Sequence, residues 1–531
     1  MILNRVEELR NASKGVGLLD KASNTASAPH PELSSREIDI LKQASVINSR
    51  IFLPWIQDDK ADPFCSQTLF VDPDGFLNLS REQAEKFGIW KRVSDIMKFP
   101  TMIAVISSMA IVQQDVVTDC SFVASLCVSA AYELKFRKQL ITSCVFPQDS
   151  SGMPVFNPIG KYVVKLFFNG IYRKIVVDDF LPLSKSGSLM CTYSTNPNEI
   201  WPSIIEKAYM KLNGGYDFPG SNSGIDLYAL TGWIPEQIFI QDQKWNSDSQ
   251  WGRLYKGFHD GHALITLATI AMSEESANKV GLVPSHAYAV LDVRNVIGVR
   301  MLQLKNPWNH RRWNGKYSHM DQNNWTRSMK DALGYDQLAA MQRDDGIFWI
   351  DFESVLAFFE SIHVNWNPEL FKYQHVMHVS WPLEFGPAVD TFALTHNPQY
   401  GLEVDAPEEN SSVWLLLSKH ITSKEENKDY ITLHVYADTN CNRVHYPEMY
   451  KVIHVGVYVN NPHILSSFTV PKGKSRFSVV LSQHLKSRSL TFSLRAYAKH
   501  PFIFGTIGKR YAVEKTVSRF HLHFGSTGRL R

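Results

Sequence analysis

The beginning of the chain alternates short helical patterns with polar connections. Residues 1–12 carry apolar side chains at spacings of three, which predicts a short helix, and residues 13–34 are rich in Ser, Ala, Asn and Pro, which indicates a linker. Ser34 and Ser80 each stand three residues before a Glu or Gln, the spacing of a capping box, so we expect a helix to begin after each of them. A compact region is expected to start near Asp62.

From about residue 119 onward the pattern is mainly helical, with one small sheet. Asp119 is followed by an apolar run of helical period, and Trp201–Leu212 is amphipathic with a proline in its first turn. Asn169-Gly170 separates two alternating runs, which is the strongest short signal for a β-hairpin. These features predict a helical lobe over residues 62–232.

The next stretch changes to strand-like runs. They lie at Ala263–Ala268, Ala287–Val293 and Val299–Leu304, and little helix is expected before Ser354–Ser361. Runs of this length with few helical patterns between them are typical of an antiparallel sheet. We therefore expect a second lobe, built on such a sheet, over residues 233–370.

The remaining chain repeats short alternating segments separated by turns of Asn, Pro, Ser and Gly, which is typical of a β-sandwich. The basic C-terminal residues are expected to form a disordered tail. The fold class predicted for the whole chain is α+β. Its predicted domains are an N-terminal helix and linker (1–61), the helical lobe (62–232), the sheet lobe (233–370), the sandwich (375–500) and the basic tail (501–531).

Composition narrows the class of protein. Of the 531 residues, 44% are hydrophobic and 20% are charged, which is ordinary for a globular chain with buried cores. The net charge of +3 gives no electrostatic reason to expect a nucleic-acid partner, and the apolar run near residues 102–112 is too short to be a transmembrane segment. Six cysteines without paired spacing predict neither a disulfide framework nor a zinc site. We expect a reducing compartment, the cytoplasm or the nucleus.

One cysteine has the setting of a nucleophile. Cys120 falls in the first turn of the helix predicted after Asp119, where unpaired backbone N–H groups and the positive end of the helix dipole favour a thiolate. Gln114, six residues upstream, would place an amide donor beside the sulfur, as an oxyanion hole requires. The alternative is a core cysteine, which is the usual role of Cys among Phe, Val, Ala and Leu.

A predicted hairpin supplies a base. His286 opens its first strand and Asn306 ends its second, each ten positions from the centre of the turn. Folding back would set the two side chains opposite each other, with Cβ atoms roughly 5 Å apart. An imidazole oriented by an amide completes a Cys-His-Asn set. His262, His310 and His319 compete for this role, and a purely structural His or Asn is the alternative.

These motifs together resemble the calpains, papain-like cysteine proteases with two lobes and a Cys-His-Asn triad. The resemblance covers about residues 62–370. It rests on Gln114, Asp119-Cys120, Ser285–Val290 and Lys305–Trp308, with support from Val176–Pro182, Glu199–Pro202, Glu206–Gly214 and Asp345–Ile350. It implies a papain-like two-lobed core followed by a C2-like β-sandwich. It assigns a nucleophile, a base, an orienting amide, an oxyanion donor and a shielding ring to Cys120, His286, Asn306, Gln114 and Trp308, respectively.

Three positions near the expected cleft depart from the family pattern. Ser121 stands where Trp usually follows the nucleophile, Ser285 where Gly usually precedes the histidine, and Asp115 where Gly usually follows the glutamine. Because these residues border the expected cleft, substrate preference or catalytic efficiency is expected to differ from that of other members.

The calcium positions of the family are altered as well. Ile111 and Arg312 stand where calcium-dependent members have acidic residues, and Glu199 lacks its acidic partner. Calcium commonly takes six to eight oxygen ligands, and no EF-hand pattern occurs in the sequence. We therefore expect no metal site, no cofactor and no EF-hand calcium regulation.

Within the family, the resemblance is strongest to the atypical PalB-type calpains. These carry MIT (microtubule-interacting and transport) domains before the protease and two C2-like domains after it. Here residues 3–9 would at most be the last helix of an MIT domain, and the chain would be a shortened form without a second full sandwich. The resemblance implies protein substrates. It implies endosomal-sorting (ESCRT) partners only if the MIT-like region works, and the sandwich is expected to be an interaction module.

The sequence therefore predicts an intracellular calpain-type cysteine endopeptidase. Ser121 and Ser285 keep an alternative open, a non-catalytic or weakly active calpain-like adaptor that acts through its sandwich and N-terminal region. A transglutaminase-like acyl transferase is a more distant alternative, since such sites use Asp where this chain has Asn306.

Overall fold

We describe a computed structural model that covers residues 33–62, 64–108, 111–112, 119–196, 198–242, 245–386, 393–424, 429–507, 514–518 and 521–525, together with Ile2 and Arg5. Its contacts divide it into two units. The first takes its described residues from Met1–Ile56, Phe168–Tyr172 and Pro368–Arg531, and the second from Gln57–Phe167 and Arg173–Asn367. Apart from Ile2 and Arg5, the helix predicted over residues 1–12, and with it the MIT remnant, lies outside the described residues.

Helices and strands alternate along the described chain. The helices are α1 (Ser35–Gln43), α2 (Arg81–Lys86), α3 (Val93–Ile96), α4 (Cys120–Phe136), α5 (Trp201–Leu212), α6 (Ser223–Thr231), α7 (Ser247–His259), α8 (Glu274–Val280), α9 (Arg327–Leu333), α10 (Gln337–Gln342) and α11 (Phe352–Phe358). The strands are β1 (Val46–Ile47), β2 (Arg50–Ile51), β3 (Phe87–Arg92), β4 (Ile111–Val112), β5 (Val145–Phe146), β6 (Lys161–Phe168), β7 (Ile171–Asp178), β8 (Phe180–Ser184), β9 (Tyr193–Ser194), β10 (Ile234–Phe239), β11 (Ala263–Thr269), β12 (Ala287–Val296), β13 (Val299–Lys305), β14 (Ile347–Asp351), β15 (Phe359–Trp366), β16 (Tyr373–Trp381), β17 (Gln399–Ala406), β18 (Ser411–Lys419), β19 (Tyr430–Ala437), β20 (Val452–Val455), β21 (His463–Val470), β22 (Gly473–His484), β23 (Leu490–Ala498), β24 (Phe502–Thr506), β25 (Glu514–Ser518) and β26 (His521–Gly525).

Both predicted capping boxes are confirmed. The hydroxyl of Ser34 accepts from the backbone N–H of Glu37 at 3.3 Å, and that of Ser80 accepts from Gln83 at 3.2 Å. In return, the Glu37 and Gln83 side chains accept from the backbone N–H of their serines, at 2.9 Å in each case. Each pair satisfies two N–H groups that a helix start leaves open, so α1 and α2 begin directly after the two serines.

The second unit contains a six-stranded sheet in the order β10-β15-β11-β12-β13-β14, in which neighbouring strands are antiparallel. Strands β12 and β13 form the predicted hairpin. Its two turn residues, Ile297 and Gly298, have φ angles of 49° and 79°. Positive φ at both central residues is the requirement of the tight hairpin turn that matches strand twist. The hairpin predicted at Asn169-Gly170 is also confirmed, between β6 and β7.

Helix α4 packs against strands β11 and β12 and against α6. It is apolar on nearly every side, and residues from Ser121 to Glu133 are mostly buried. Such a helix belongs inside a core rather than on a surface. This packing sets the first residue of α4 near the start of β12.

The first unit contains two antiparallel sheets, in the orders β16-β23-β18-β21 and β20-β19-β22-β17-β24. Inward-facing residues of both sheets form one hydrophobic core, for example Leu402 and Val404 of β17 with Leu415 and Leu417 of β18. Alternate residues fill this core because successive side chains of a strand point to opposite faces. The unit therefore has the two-sheet architecture that the repeated segments predict, while its likeness to C2 domains stays a prediction.

The structure differs from the sequence expectations in two places. The stretch before Ser354 is not poor in helix, since α7, α8, α9 and α10 all lie there. Helix α7 buries Trp251, Leu254 and Phe258 at helical spacing after an Asn246 cap, a pattern that the strand-based interpretation missed. Strand β24 pairs with β17, so a paired strand lies within residues 501–531, which were assigned to the basic tail. No helix in the described residues is long and apolar enough to span a membrane.

Candidate active site

Cys120 is the first residue of α4, directly after Asp119. Two serines of this buried helix are satisfied within it. The Ser125 hydroxyl donates to the carbonyl of Ser121 at 2.7 Å, and the Ser129 hydroxyl donates to the carbonyl of Ser125 at 2.8 Å. Because these hydroxyls find partners one turn back, the helix can be buried without unsatisfied groups. Cys120 therefore lies at the N-terminus of a helix, as the sequence predicts.

The imidazole of His286 is hydrogen-bonded to the amide of Asn306. Nε2 of His286 lies 2.9 Å from Oδ1 of Asn306, and both side chains are buried. The same Oδ1 accepts the backbone N–H of Trp308 at 3.1 Å, while Nδ2 of Asn306 donates to the carbonyl of Arg311 at 2.9 Å. These two backbone partners orient the amide with its oxygen toward the imidazole. His286 therefore donates through Nε2–H, which leaves Nδ1 as the acceptor of the neutral ring.

The register of the hairpin differs from the prediction. Its turn is Ile297-Gly298 rather than a turn centred on residue 296, and a bulge in β12 shifts the pairing once more. His286 and Asn306 are consequently diagonal neighbours, so the prediction that they stand directly opposite is wrong. Their side chains still meet because diagonal residues two positions apart lie on the same face of a sheet.

Aromatic rings enclose the imidazole. The ring centroid of Trp308 lies 4.6 Å from that of His286, and the ring of Tyr288 lies 5.3 Å away and nearly perpendicular. The hydroxyl of Tyr288 accepts the backbone N–H of Val283 at 2.9 Å, which fixes that ring. Trp308 is thus placed where it can keep water from the His286–Asn306 hydrogen bond.

The thiol of Cys120 lies at the start of β12. Backbone N–H groups of Ala287 and Ser121 reach the sulfur. Ala287 directly follows His286, so thiol and imidazole are brought to one place, although no hydrogen bond joins the two side chains in the described residues. The structure thus brings three sequence-predicted residues together: Cys120, His286 and Asn306.

Burial determines the protonation of both groups. It raises the pKa of the Cys120 thiol to about 11, and the negative charges of Asp119 and Asp226 act in the same direction. It lowers the pKa of His286 to about 4, with the hydrogen bond to Asn306 opposing the shift. Both groups are therefore neutral at pH 7 in this arrangement. The thiolate expected from the helix N-terminus alone is not the resting form, because desolvation outweighs the helix dipole here.

Gln114, the predicted oxyanion donor, lies outside the described residues, so its position relative to the thiol stays a prediction. Of the competing histidines, His262 and His310 also lie in the second unit, but neither is joined to Asn306.

A buried acid that the sequence analysis did not single out lies beneath the start of α4. Glu206 accepts from the backbone N–H of Thr192 at 2.9 Å and from its hydroxyl at 2.5 Å. Burial and the neighbouring charge of Asp119 raise the pKa of Glu206 well above its ordinary range. The raised pKa favours the protonated form of Glu206, whose carboxyl shares a hydrogen bond with Asp119, the residue before Cys120. The sequence signal that could have identified Glu206 is its position among the buried residues of α5.

A second buried acid explains one departure from the family pattern. Oδ1 of Asp226 accepts the hydroxyl of Tyr209 at 2.5 Å and also that of Ser221. Burial raises the pKa of Asp226 to about 6, and the nearby hydroxyls of Ser121, Ser221 and Tyr209 oppose the shift. Ser121, which replaces the usual Trp beside Cys120, thus lies near Asp226. An acid within an apolar helical run was the sequence signal.

Several motif residues of the sequence resemblance have structural roles. The Lys211 ammonium donates to both carboxylate oxygens of Asp72, at 2.8 and 2.7 Å, and Lys207, one turn earlier on α5, pairs with Asp178. All four side chains are buried. Arg92 and Asp179 form a further pair at 2.6 Å. The two lysine pairs join α5 to Asp178 at the end of β7 and to the loop at Asp72, and the third pair joins the end of β3 to the residue after β7.

At two of the altered calcium positions, Glu199 and Ile111, the side chains make other contacts within the protein. The Glu199 carboxylate accepts the backbone N–H groups of Ala104 and Val105, at 2.7 and 2.9 Å, and the hydroxyl of Ser194 at 2.8 Å. Ile111 is buried in β4. Within the described ranges, no group of three or more His, Cys, Asp or Glu side chains is placed to hold a metal ion.

Comparison with known proteins decides the family. The profile of the calpain family cysteine proteases matches residues 58–365, which contain Cys120, His286 and Asn306. The chain belongs to the calpain family. The mouse protein "Calpain-7" is 44% identical over 492 residues, which are 91% of this chain and 60% of that protein. "Calpain-like protease palB/RIM13" of Aspergillus oryzae is 36% identical over 495 residues, which are 88% of this chain and 56% of that protein.

These relatives confirm the predicted resemblance to PalB-type calpains, and the chain spans about 60% of the length of the mammalian ones. Among solved structures, an isomalto-dextranase of Arthrobacter globiformis aligns over 26% of this chain and 25% of its own, at 11% identity and a TM-score of 0.13. That similarity carries no argument about this calpain-family chain.

Proposed function

We propose that the chain is a cysteine endopeptidase in which Cys120 is the nucleophile, His286 the general base and acid, and Asn306 the group that orients the imidazole. The observation that carries the proposal is the hydrogen bond of 2.9 Å between His286 and Asn306, formed directly beside a thiol at a helix N-terminus. A nucleophile, a base and a group that orients the base are the three parts that such chemistry needs.

The proposed reaction begins from the neutral pair. The Nδ1 lone pair of His286 takes the proton of the Cys120 thiol as the sulfur forms a bond to the scissile carbonyl carbon. Imidazolium then gives that proton to the leaving amine as the C–N bond breaks. Water attacks the acyl-enzyme, with His286 again removing and returning a proton, and releases the acid product. The backbone N–H of Cys120 and the side chain of Gln114 are the proposed oxyanion donors.

Turnover requires the thiol and the imidazole to come within hydrogen-bonding distance. The arrangement described here has the sulfur bonded to backbone N–H groups and the imidazole bonded through Nε2 to Asn306. Nδ1 is the ring atom left to receive the thiol proton. We propose that substrate brings the two groups together, since the thiol already lies beside Ala287, the residue after His286.

The other functional assignments follow from the family and stay proposals. We propose protein substrates for the chain, a cytoplasmic or nuclear location, and activity without EF-hand calcium regulation. We propose that the two-sheet unit is a C2-like interaction module. ESCRT partners are proposed only if the N-terminal residues provide an MIT-like surface.

The test is proteolysis by the purified full-length chain. Cys120→Ala should abolish cleavage of casein and of fluorogenic peptides while leaving thermal unfolding unchanged, because the thiol makes no structural bond to another side chain. Cys65→Ala, at an exposed cysteine, is the matched control and should retain activity. Equal proteolysis by the Cys120→Ala variant would refute the assignment. A wild-type chain that is folded yet inactive on every substrate, with or without calcium, would favour the adaptor alternative.

A further inference from the structure

A polar cavity of about 270 Å³ lies beside the segment that follows Asn306. One wall is formed by the end of α8, and the other by the loop between β13 and α9. Gly281 at the end of α8 has a φ of 74° and no side chain, so it leaves room for the loop backbone of Arg312 to approach closely. The residues that line the cavity are Asn278, Gly281, His310, Arg311, Arg312, Asn314, His319 and Asp344.

Basic side chains outnumber acidic ones among the described residues that line this cavity. Arg311 and Arg312 are adjacent, and Asp344 is the single acid among the described residues that line the cavity. The carboxylate paired with Arg311 is that of Glu274, 3.6 Å away and largely exposed, so this pair is weak. Nδ1 of His319 is buried without a hydrogen-bond partner. Burial and the charge of Arg312 lower the pKa of His319, so its imidazole is neutral at pH 7 and can donate or accept a hydrogen bond.

We propose that this cavity is a binding site for a small phosphate-class oxyanion. Guanidinium groups bind phosphate oxygens through paired N–H donors, and such charge-assisted hydrogen bonds are about twice as strong as neutral ones. The side chains of His319 and Asn314 can add neutral hydrogen bonds. A calcium ion does not fit the same lining, because calcium needs several oxygen ligands and Arg312 repels it. The volume is sufficient for a phosphate or a small phosphate ester.

Arg311 connects the cavity to the residue that orients His286. Its side chain lines the cavity, and its backbone carbonyl accepts Nδ2 of Asn306 at 2.9 Å. An anion that holds Arg311 therefore also holds the loop that fixes the Asn306 amide. This regulatory consequence rests on the proposed protease function, whereas anion binding itself does not.

The test is calorimetric titration of the full-length chain with inorganic phosphate and with glycerol 3-phosphate at constant ionic strength. All proteins carry Cys120→Ala, so that the result is independent of proteolysis. We expect saturable binding of at least one of the two ligands. Tighter binding of phosphate would identify a free-anion site, and tighter binding of the ester would identify a site for a phosphorylated metabolite.

The cavity variants are Arg311→Gln and Arg312→Gln, and each should weaken binding by about tenfold or more, as the loss of one charge-assisted hydrogen bond predicts. Arg327→Gln is the matched control, since Arg327 is an exposed arginine of α9 outside the cavity lining, and it should bind like the parent. Arg312 also donates to the carbonyl of Ala340 at 2.6 Å, so thermal unfolding is recorded for each variant. Arg311→Gln removes only an exposed pair and keeps the test valid if Arg312→Gln unfolds. No saturable binding, or equal binding by Arg311→Gln and the parent, would overturn the proposal.

Discussion

Asn306 is hydrogen-bonded to Nε2 of His286, on the side of the imidazole opposite Nδ1. Oδ1 of Asn306 lies 2.9 Å from Nε2 of His286, and that amide is itself held by the backbone N–H of Trp308 and the carbonyl of Arg311. Since three of the bonds that the amide can form are used in this way, the imidazole has one orientation, with Nδ1 available to another group. In the proposed mechanism, that group is the thiol of Cys120.

Replacing Asn306 should slow turnover more than it harms the fold. Asn306→Ala leaves the imidazole without its orienting bond, and we expect kcat/KM on a fluorogenic peptide to fall by roughly a factor of 100, the lower end of what a general acid–base group supplies. Asn323→Ala, an exposed asparagine of the same unit, is the control. Undiminished kcat/KM in a folded Asn306→Ala chain would remove Asn306 from the mechanism.

Buried histidines should make the fold sensitive to acid. Burial lowers the pKa values of His286 and His363 to about 4 from an ordinary value of 6.5. The unfolded chain therefore binds more protons between these values, so stability is full above pH 6.5 and is lost as the pH falls toward 4. Each histidine should cost about 2 kcal/mol of unfolding free energy between pH 7 and pH 5.

The measurement for this prediction is urea unfolding at both pH values, with His363→Gln as the informative variant. Because His363 takes no part in the proposed chemistry, its replacement should reduce the acid-induced loss of stability without changing which residues react. A loss of stability identical in the parent and in His363→Gln would show that His363 is not neutral in the folded chain.

The buried acid next to Asp119 should tolerate replacement by an amide of the same shape but not truncation. Because the raised pKa of Glu206 favours its protonated form, Glu206→Gln keeps an acceptor for Thr192 and a donor for Asp119, and we expect little change in thermal stability. Glu206→Ala removes the hydrogen bonds of Glu206 with the Thr192 backbone N–H and the Asp119 carboxylate. This loss should lower the unfolding free energy by about 2 to 4 kcal/mol. A Gln variant as unstable as the Ala variant would mean that Glu206 is ionised.

The buried ion pairs of α5 should matter more than surface pairs. Lys207→Ala leaves Asp178 buried and uncompensated, and breaking such a pair typically costs about 3 to 5 kcal/mol. Lys256→Ala removes the exposed pair with Asp260, 2.7 Å long, and should leave the free energy of unfolding almost unchanged, because solvent screens such a pair. Chemical denaturation of the two variants checks this, and equal losses would contradict the assigned roles.

Sequence patterns predicted the local elements well where one short signal determines them. The Ser34 and Ser80 caps, the Asn169-Gly170 turn and the start of the helix at Cys120 depend on neighbouring residues alone, and all are confirmed. Helix α7 was missed because its buried face has few apolar residues among many polar ones. The predicted pairing of His286 with Asn306 was displaced because the turn is Ile297-Gly298 rather than a turn centred on residue 296, and the bulge in β12 moves the pairing back by one position only.

The electrostatics of the site could not be predicted from sequence. The sequence places Cys120 at a helix N-terminus, which favours a thiolate, but the extent of its burial and the nearby charge of Asp226, more than a hundred positions away, appear only in the fold. In the sequence, Ser121 is simply the replacement of a Trp that is usual in the family, whereas in the fold its hydroxyl lies near Asp226.

The roles of Cys120 and His286 can be tested by site-specific modification with an epoxysuccinyl peptide, followed by peptide mass mapping. Opening the epoxide needs a nucleophilic sulfur and a proton donor, and in the proposed mechanism these are Cys120 and His286. We predict modification at Cys120 and not at the exposed Cys65, at a rate that falls by roughly a factor of 10 to 100 in His286→Ala, the share expected of an acid–base partner. No modification at Cys120 in the folded chain, or an equal rate in His286→Ala, would contradict the account.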